Sequence, residues 1–181
     1  MKIIRATLEA FDEQLDQLVE ILQHTVNNGA AVGFIAPLSA ERATQFWQET
    51  IRPAVASGDR ALFLALEEGR AVGTAQLILG MPDNQPHRGE VSKMMVHPDH
   101  RRKGIAHQLI ARLEEEARAH DRWQITLDTR SGGGAEPFYH RMGYKVAGII
   151  PNFGKNATDD AFHATTYMYK TLDERRCQQA G

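Results

Sequence analysis

The chain has one cysteine, Cys177, among 181 residues. One thiol closes no internal disulfide and builds no cysteine-rich zinc site. No apolar run approaches the ~20 residues of a membrane helix, so no membrane partner is expected. The opening stretch, MKIIRATLEAFDEQ, meets charge too early for a secretory signal, and a cytoplasmic protein is expected. An excess of one charge is also lacking, because 21 Lys+Arg stand against 23 Asp+Glu. That balance argues against a nucleic-acid surface, as does the want of aromatic platforms beside the basic residues. There is no GxGxxG, no Gly-Lys-Ser/Thr and no GxSxG, which removes a Rossmann site, a Walker loop and a serine-hydrolase elbow. Repeats, low-complexity stretches and linkers are missing too. What remains is 42% hydrophobic and 24% charged residues, the balance of a globular domain with a real core. One domain over 1–172 and a polar tail over 173–181 are expected.

Periodicity supplies the elements. Residues 2–7 read as a strand. Leu15, Leu18, Val19, Leu22 and Val26 recur at helical spacing, which predicts a helix over 9–27 stopped by Asn27-Asn28-Gly29. Ser39 is the N-cap of a second helix that buries Ala43, Phe46, Trp47 and Ile51 and ends at Gly58. Residues 61–66 and 71–79 form a hairpin across a four-residue connection, 67–70. Strands at 89–96 and 123–129 flank a helix at 102–119. A Gly-rich turn, a short helix at 134–141 and strands at 144–149 and 162–170 complete a mixed α/β domain.

The window 94–110, MMVHPDHRRKGIAHQLI, is the most informative. A strand ends at Val96, and Arg101-Arg102-Lys103-Gly104-Ile105-Ala106 opens a helix. Free amides at a helix start carry the positive end of its dipole. Gly104 and Ala106 leave those amides approachable by a phosphate. Three cations in a first turn oppose the dipole unless an anion offsets them. His97, His100 and His107 crowd the same loop, but with a lone Asp99 and no cysteine no metal site is expected.

Arg101-x-x-Gly104-x-Ala106 between a strand and an amphipathic helix resembles the acetyl-CoA motif of the GNAT N-acetyltransferase family. Ala135-Glu136-Pro137-Phe138-Tyr139 followed by Met142-Gly143-Tyr144 resembles its second motif. The stretches 32–34 (VGF), 90–96 (EVSKMMV), 127–129 (LDT) and 135–139 (AEPFY) are similar to the family's tabtoxin-resistance branch. The resemblance implies an α/β fold with a mixed, mostly antiparallel sheet. Its central strands splay apart, often at a bulge, and helices flank it.

It further implies acetyl-CoA as co-substrate and transfer to a primary amine in a ternary complex. The backbone of Met94, Met95 and Val96 would pair with pantetheine, and the Val96 amide would lie near the thioester oxygen. Arg101, Arg102, Lys103, Gly104, Ile105, Ala106 and His107 would hold the pyrophosphate. Tyr139 would stand beside the sulfur and protonate it. Glu90 and Asp128 would bind or deprotonate the amine, with the base left open between them. Val32, Gly33 and Phe34 would wall the acceptor. Many members carry Asn seven residues before the tyrosine, where this chain has Gly132. A small polar amine is the expected acceptor, of the amino-acid, antibiotic or toxin kind. The alternatives are a peptide N-terminus and a non-catalytic coenzyme A-binding module. A homodimer through strands near the C-terminus is also implied.

Overall fold

The computed structural model describes residues 1–177. A seven-stranded sheet has the order β1-β2-β3-β4-β5-β7-β6. Its strands are β1 (Lys2–Arg5), β2 (Arg60–Glu67), β3 (Arg70–Ile78), β4 (Arg88–Val96), β5 (Gln124–Arg130), β6 (Lys145–Lys155) and β7 (Phe162–Thr171). Every neighbouring pair is antiparallel except β4–β5. On one face, α5 (Ile105–Ala119) and α6 (Ala135–Arg141) cover a core of Phe63, Leu77, Leu109, Leu113 and Ile125. On the other, α1 (Leu8–Glu13), α2 (Leu15–Asn27), α3 (Ala40–Gln45) and α4 (Arg52–Ala56) enclose Leu18, Leu22, Trp47, Leu62 and Leu64. Truncating one of these fully buried leucines to alanine costs ~2–5 kcal/mol. No helix among the described residues is long and apolar enough to cross a membrane.

The order of elements is the one the sequence predicts, and the differences have local causes. The single helix expected over 9–27 is two, broken at Gln14. The Gln14 side chain donates to the Gly69 carbonyl (3.0 Å) and accepts from the Ala71 amide (2.8 Å), fixing the β2–β3 turn from outside. That turn is shorter than expected, because Glu67 pairs with Arg70 and only Glu68 and Gly69 connect the strands. Both take positive φ, as tight hairpins require. The second helix does start at Ser39, whose hydroxyl accepts from Arg42 N, but it passes through a π-helical stretch, Phe46–Ile51, before α4. Helix α5 starts at Ile105 rather than 102, because Arg102 and Gly104 have positive φ and cannot be helical. Strand β6 runs on to Lys155. Of the expected tail, Glu174–Cys177 form a short helix, and residues 178–181 lie outside the described part.

Two irregularities in the middle of the sheet create the site. The parallel pair β4–β5 is bonded only across Arg88–Glu90 and Gln124–Thr126. Beyond that point the strands part. On its other side β4 bulges against β3, since Gln76 faces Ser92 and Thr74 faces Met95. Two residues, Lys93 and Met94, oppose the single Ala75. Lys93 absorbs the extra length with φ +48°. A bulge bends and twists its strand, which turns the end of β4 away from β5.

Candidate active site

The wedge between β4 and β5 opens into a cavity of about 1010 Å³. Met94, Met95 and Val96 form one edge, Asp128 and Thr129 the other, and Tyr139 of α6 closes the inner end. Val32, Gly33 and Phe34 line the far wall, and Phe153–Lys155 with His163 and Thr165 the remaining side. The structure therefore gathers Glu90, Asp128, Tyr139, Arg101, the end of β4 and the 32–34 wall around one space.

The edge of β4 is available to a ligand. The His97 amide bonds the Val72 carbonyl, toward β3. Groups alternate along a strand, so the amide and carbonyl of Val96 face the gap. The Arg101 Nε donates to that carbonyl (3.2 Å), so this side chain turns back into the cavity rather than out to the loop. Lys103 lies 3.5 Å from Glu67, and Arg102 makes no ion pair among the described residues. The amides of residues 102–107 have no backbone or side-chain acceptor among the described residues. Gly104, at φ +76°, has nothing within 4 Å of where a Cβ would stand. Ile105 is buried in the core, so it can offer the loop only its amide, while Gly104 and His107 are exposed. These residues flank the cavity and do not line it. An open run of donors at the start of a fifteen-residue helix fits a diphosphate.

The two acids are held differently. Glu90 is ion-paired with Arg88 at 3.0 Å, and the same guanidinium donates to Thr126 Oγ1. Among the described residues Asp128 accepts only a hydroxyl, from Thr165 (3.0 Å), and it is exposed to the cavity. Its charge reaches Tyr139 and Lys93. Burial first, and Asp128 second, raise the Tyr139 phenol well above its ordinary range, so the ring keeps its proton. Burial also lowers the Lys93 ammonium, Arg60 adds to that, and Asp128 opposes it.

Lys93 is the residue the sequence reading missed as a site group. Its Nζ stands 5.9 Å over the Phe46 ring and 3.6 Å from where a Cβ on Gly33 would sit. The π-helical stretch that carries Phe46 also packs it edge-on against Phe34, with centroids 5.1 Å apart. The segment after the wall is strapped twice. Asn27 Oδ1 accepts from the Leu38 amide (2.8 Å), and the Ala36 amide bonds Ala157 O (2.7 Å). His163 of β7 also lines the cavity, with Nδ1 3.1 Å from its neighbour's carbonyl. At the Gly132 position, Gly132 N donates to Glu136 (2.7 Å), and the turn brings Gly133 and Gly134 to the rim.

Comparison with known proteins agrees with this architecture. The acetyltransferase (GNAT) family model matches residues 15–144. An uncharacterised N-acetyltransferase encoded between hisH and hisA in Azospirillum brasilense is 29% identical over 125 residues, 68% of this chain and 72% of its own length. An acetyltransferase of Sodalis glossinidius is 36% identical over 104 residues, 56% of this chain and 70% of that one. Among solved structures, a putative acetyltransferase of Salmonella typhimurium with acetyl-CoA superposes with TM-score 0.76 at 23% identity, over 96% of this chain and 94% of that one. A phosphinothricin acetyltransferase of Sinorhizobium meliloti, also with acetyl-CoA, gives 0.75 at 21%, over 96% and 89%. These two establish the shared fold. With the family model spanning the sheet's splayed centre and both motif segments, the chain belongs to the acetyltransferase (GNAT) family.

Proposed function

We propose that this protein moves an acetyl group from acetyl-CoA to the primary amine of a small molecule that also carries an anionic group. The run of free amides over 102–107, opening at the end of the splayed strands, carries the first half of this reading. Acetyl-CoA supplies an activated thioester. The loop amides and Arg102 bind its diphosphate, and the main chain of Met94–Val96 holds its arm. The Val96 amide donates to the thioester oxygen as negative charge gathers there, a contribution of ~3–4 kcal/mol for one well-placed donor. Asp128 receives the ammonium and takes its proton, because it is open to the cavity and tethered by a single hydroxyl. Glu90, already paired with Arg88, shapes the field beside it. Tyr139 passes a proton to the departing sulfur and takes back the second proton that the attacking nitrogen sheds, so its phenol ends as it began.

Lys93 carries the second half. A cation beside a carboxylate in a half-closed cavity suits a zwitterion, with the amine at Asp128 and a carboxylate at Lys93. The similarity to the tabtoxin-resistance branch supports the same class. So do the walls at 29–38 and 153–155, since a peptide acceptor needs an open groove. We also infer a homodimer through β6, whose Val146, Ile149, Ile150 and Phe153 are exposed. Light scattering that returns a monomer mass at micromolar concentration would remove that part.

The test is acetyl-CoA-dependent thiol release over amino acids, aminoglycosides, polyamines and short peptides. Turnover is expected to be confined to amines bearing a carboxylate or similar anion. Calorimetric heat with coenzyme A but no turnover on any amine would favour the non-catalytic module, and no heat at all would sink the proposal.

A further inference from the structure

A second cluster lies behind the end of β4, away from the cavity's acids. Glu20 and His24 stand one turn apart on α2, on the same face. His97, the residue after β4, faces them across the gap. Its Nε2 is 3.9 Å from Glu20 Oε1, and its ring meets His24 edge-on with centroids 4.8 Å apart. One ligand atom from each of the three lies within 4.8 Å of the other two. Helix spacing pairs Glu20 with His24, but only the packing of α2 against β4 brings His97 to them.

The second observation is a missing partner. His97 is only 14% exposed, and its Nε2 is buried with no hydrogen-bond partner among the described residues. A buried imidazole nitrogen with no partner is destabilising, and a bound ion would satisfy it. Asp99 lies on the other side, with its carboxylate 3.9 Å from His97 Nδ1. That distance is too long for a hydrogen bond, but rotation of this exposed side chain would let it accept from Nδ1–H and orient a ligating ring. The Asp99 amide now sits 3.4 Å from that same Nδ1, a long contact that a metal-bound tautomer would give up.

We propose that Glu20, His24 and His97 form a binding site for a divalent transition metal of the zinc, cobalt or nickel type. Two imidazoles and one carboxylate are a borderline-soft donor set, matched to these ions rather than to magnesium or calcium. Ligand bonds of ~2.0–2.1 Å require the three atoms to close on one another. Glu20 and His24 are at the surface and free to rotate, so His97 stays as the fixed ligand. Arg70 competes weakly for Glu20, at 3.9 Å. His100 does not join, because its ring is bonded to Glu67 at 2.6 Å. The bound ion would link α2 to the residue that follows Val96.

The experiment uses the full chain without a histidine tag, stripped with EDTA and dialysed. Titration with Co²⁺ is expected to produce visible d–d absorption at one equivalent, and Zn²⁺ to displace it and raise Tm. Glu20→Gln and His24→Gln, both at surface positions, are each expected to weaken Co²⁺ binding at least tenfold. His97→Ala is expected to abolish it, whereas His140→Ala is expected to leave it intact. The inference fails if no absorption appears up to millimolar Co²⁺. It fails equally if binding survives in both Glu20→Gln and His24→Gln, which decide the matter even if His97→Ala does not fold.

Discussion

The two halves of the cleft are built on different plans. The cofactor half is one continuous stretch, Met94–His107, and works through main chain: a strand edge, a turn and a helix start. The acceptor half takes side chains from four separate places: the 32–34 wall, Lys93 in the bulge, Asp128 on β5 and the Phe153–Lys155 end of β6. Main-chain recognition depends on backbone shape and tolerates varied side chains. Side-chain recognition depends on where the fold delivers each group. One half is thus set by local sequence, and the other by tertiary packing.

Substitutions should separate the halves. Asp128→Asn has the largest expected effect, a fall in kcat of ~10²–10⁴-fold with the KM for acetyl-CoA little changed, read in the thiol-release assay. If Glu90→Gln shows the larger loss, the base is Glu90. Gly104→Asp puts a Cβ and a negative charge among the free amides. It should raise the KM for acetyl-CoA by about tenfold to a hundredfold with every acceptor, ~1.4–2.8 kcal/mol of binding. Lys93→Met should raise the KM of a carboxylate-bearing amine about tenfold and leave its amide analogue unaffected, the mark of an acceptor-side charge pair. Tyr139→Phe should lower kcat by about tenfold or less, since a thiolate leaves readily, and should hardly touch the KM for acetyl-CoA.

The smallest effect concerns stability beside the loop. The His100 hydrogen bond, with Lys103 assisting, holds the Glu67 carboxyl below its usual value. A depressed folded-state pKa contributes stability that is complete above the unfolded value, about 4.3, and is lost as pH falls through the folded one. The Tm of the parent and of Glu67→Gln should therefore differ at neutral pH and converge below about pH 4.

The same contrast explains what could be read beforehand. The Arg101–His107 loop was legible because free amides, small residues and basic charge lie side by side in the chain. The parallel pair and its divergence followed from the family resemblance, not from periodicity. Lys93 does not stand out in the sequence, because nothing in SKMMV marks a positive φ; the bulge exists only against β3. The break at Gln14 was equally hidden, since its cause is a turn in a distant hairpin. Asp128 and Glu90 both read as candidate acids; the Arg88 pair that distinguishes them is an i, i+2 contact on one face of β4, and only its anchor on Thr126 depends on the register with β5.

The diverging strands also limit how this protein can choose its ligands. Ladder groups normally left bare only at a sheet's rim are here bare in its middle, along the free edge of β4. Any extended amide-bearing molecule can pair there equally well, whatever its chemistry. Discrimination must come from the two mouths of the wedge: the amide-rich turn at one and the mixed charges of Lys93 and Asp128 at the other.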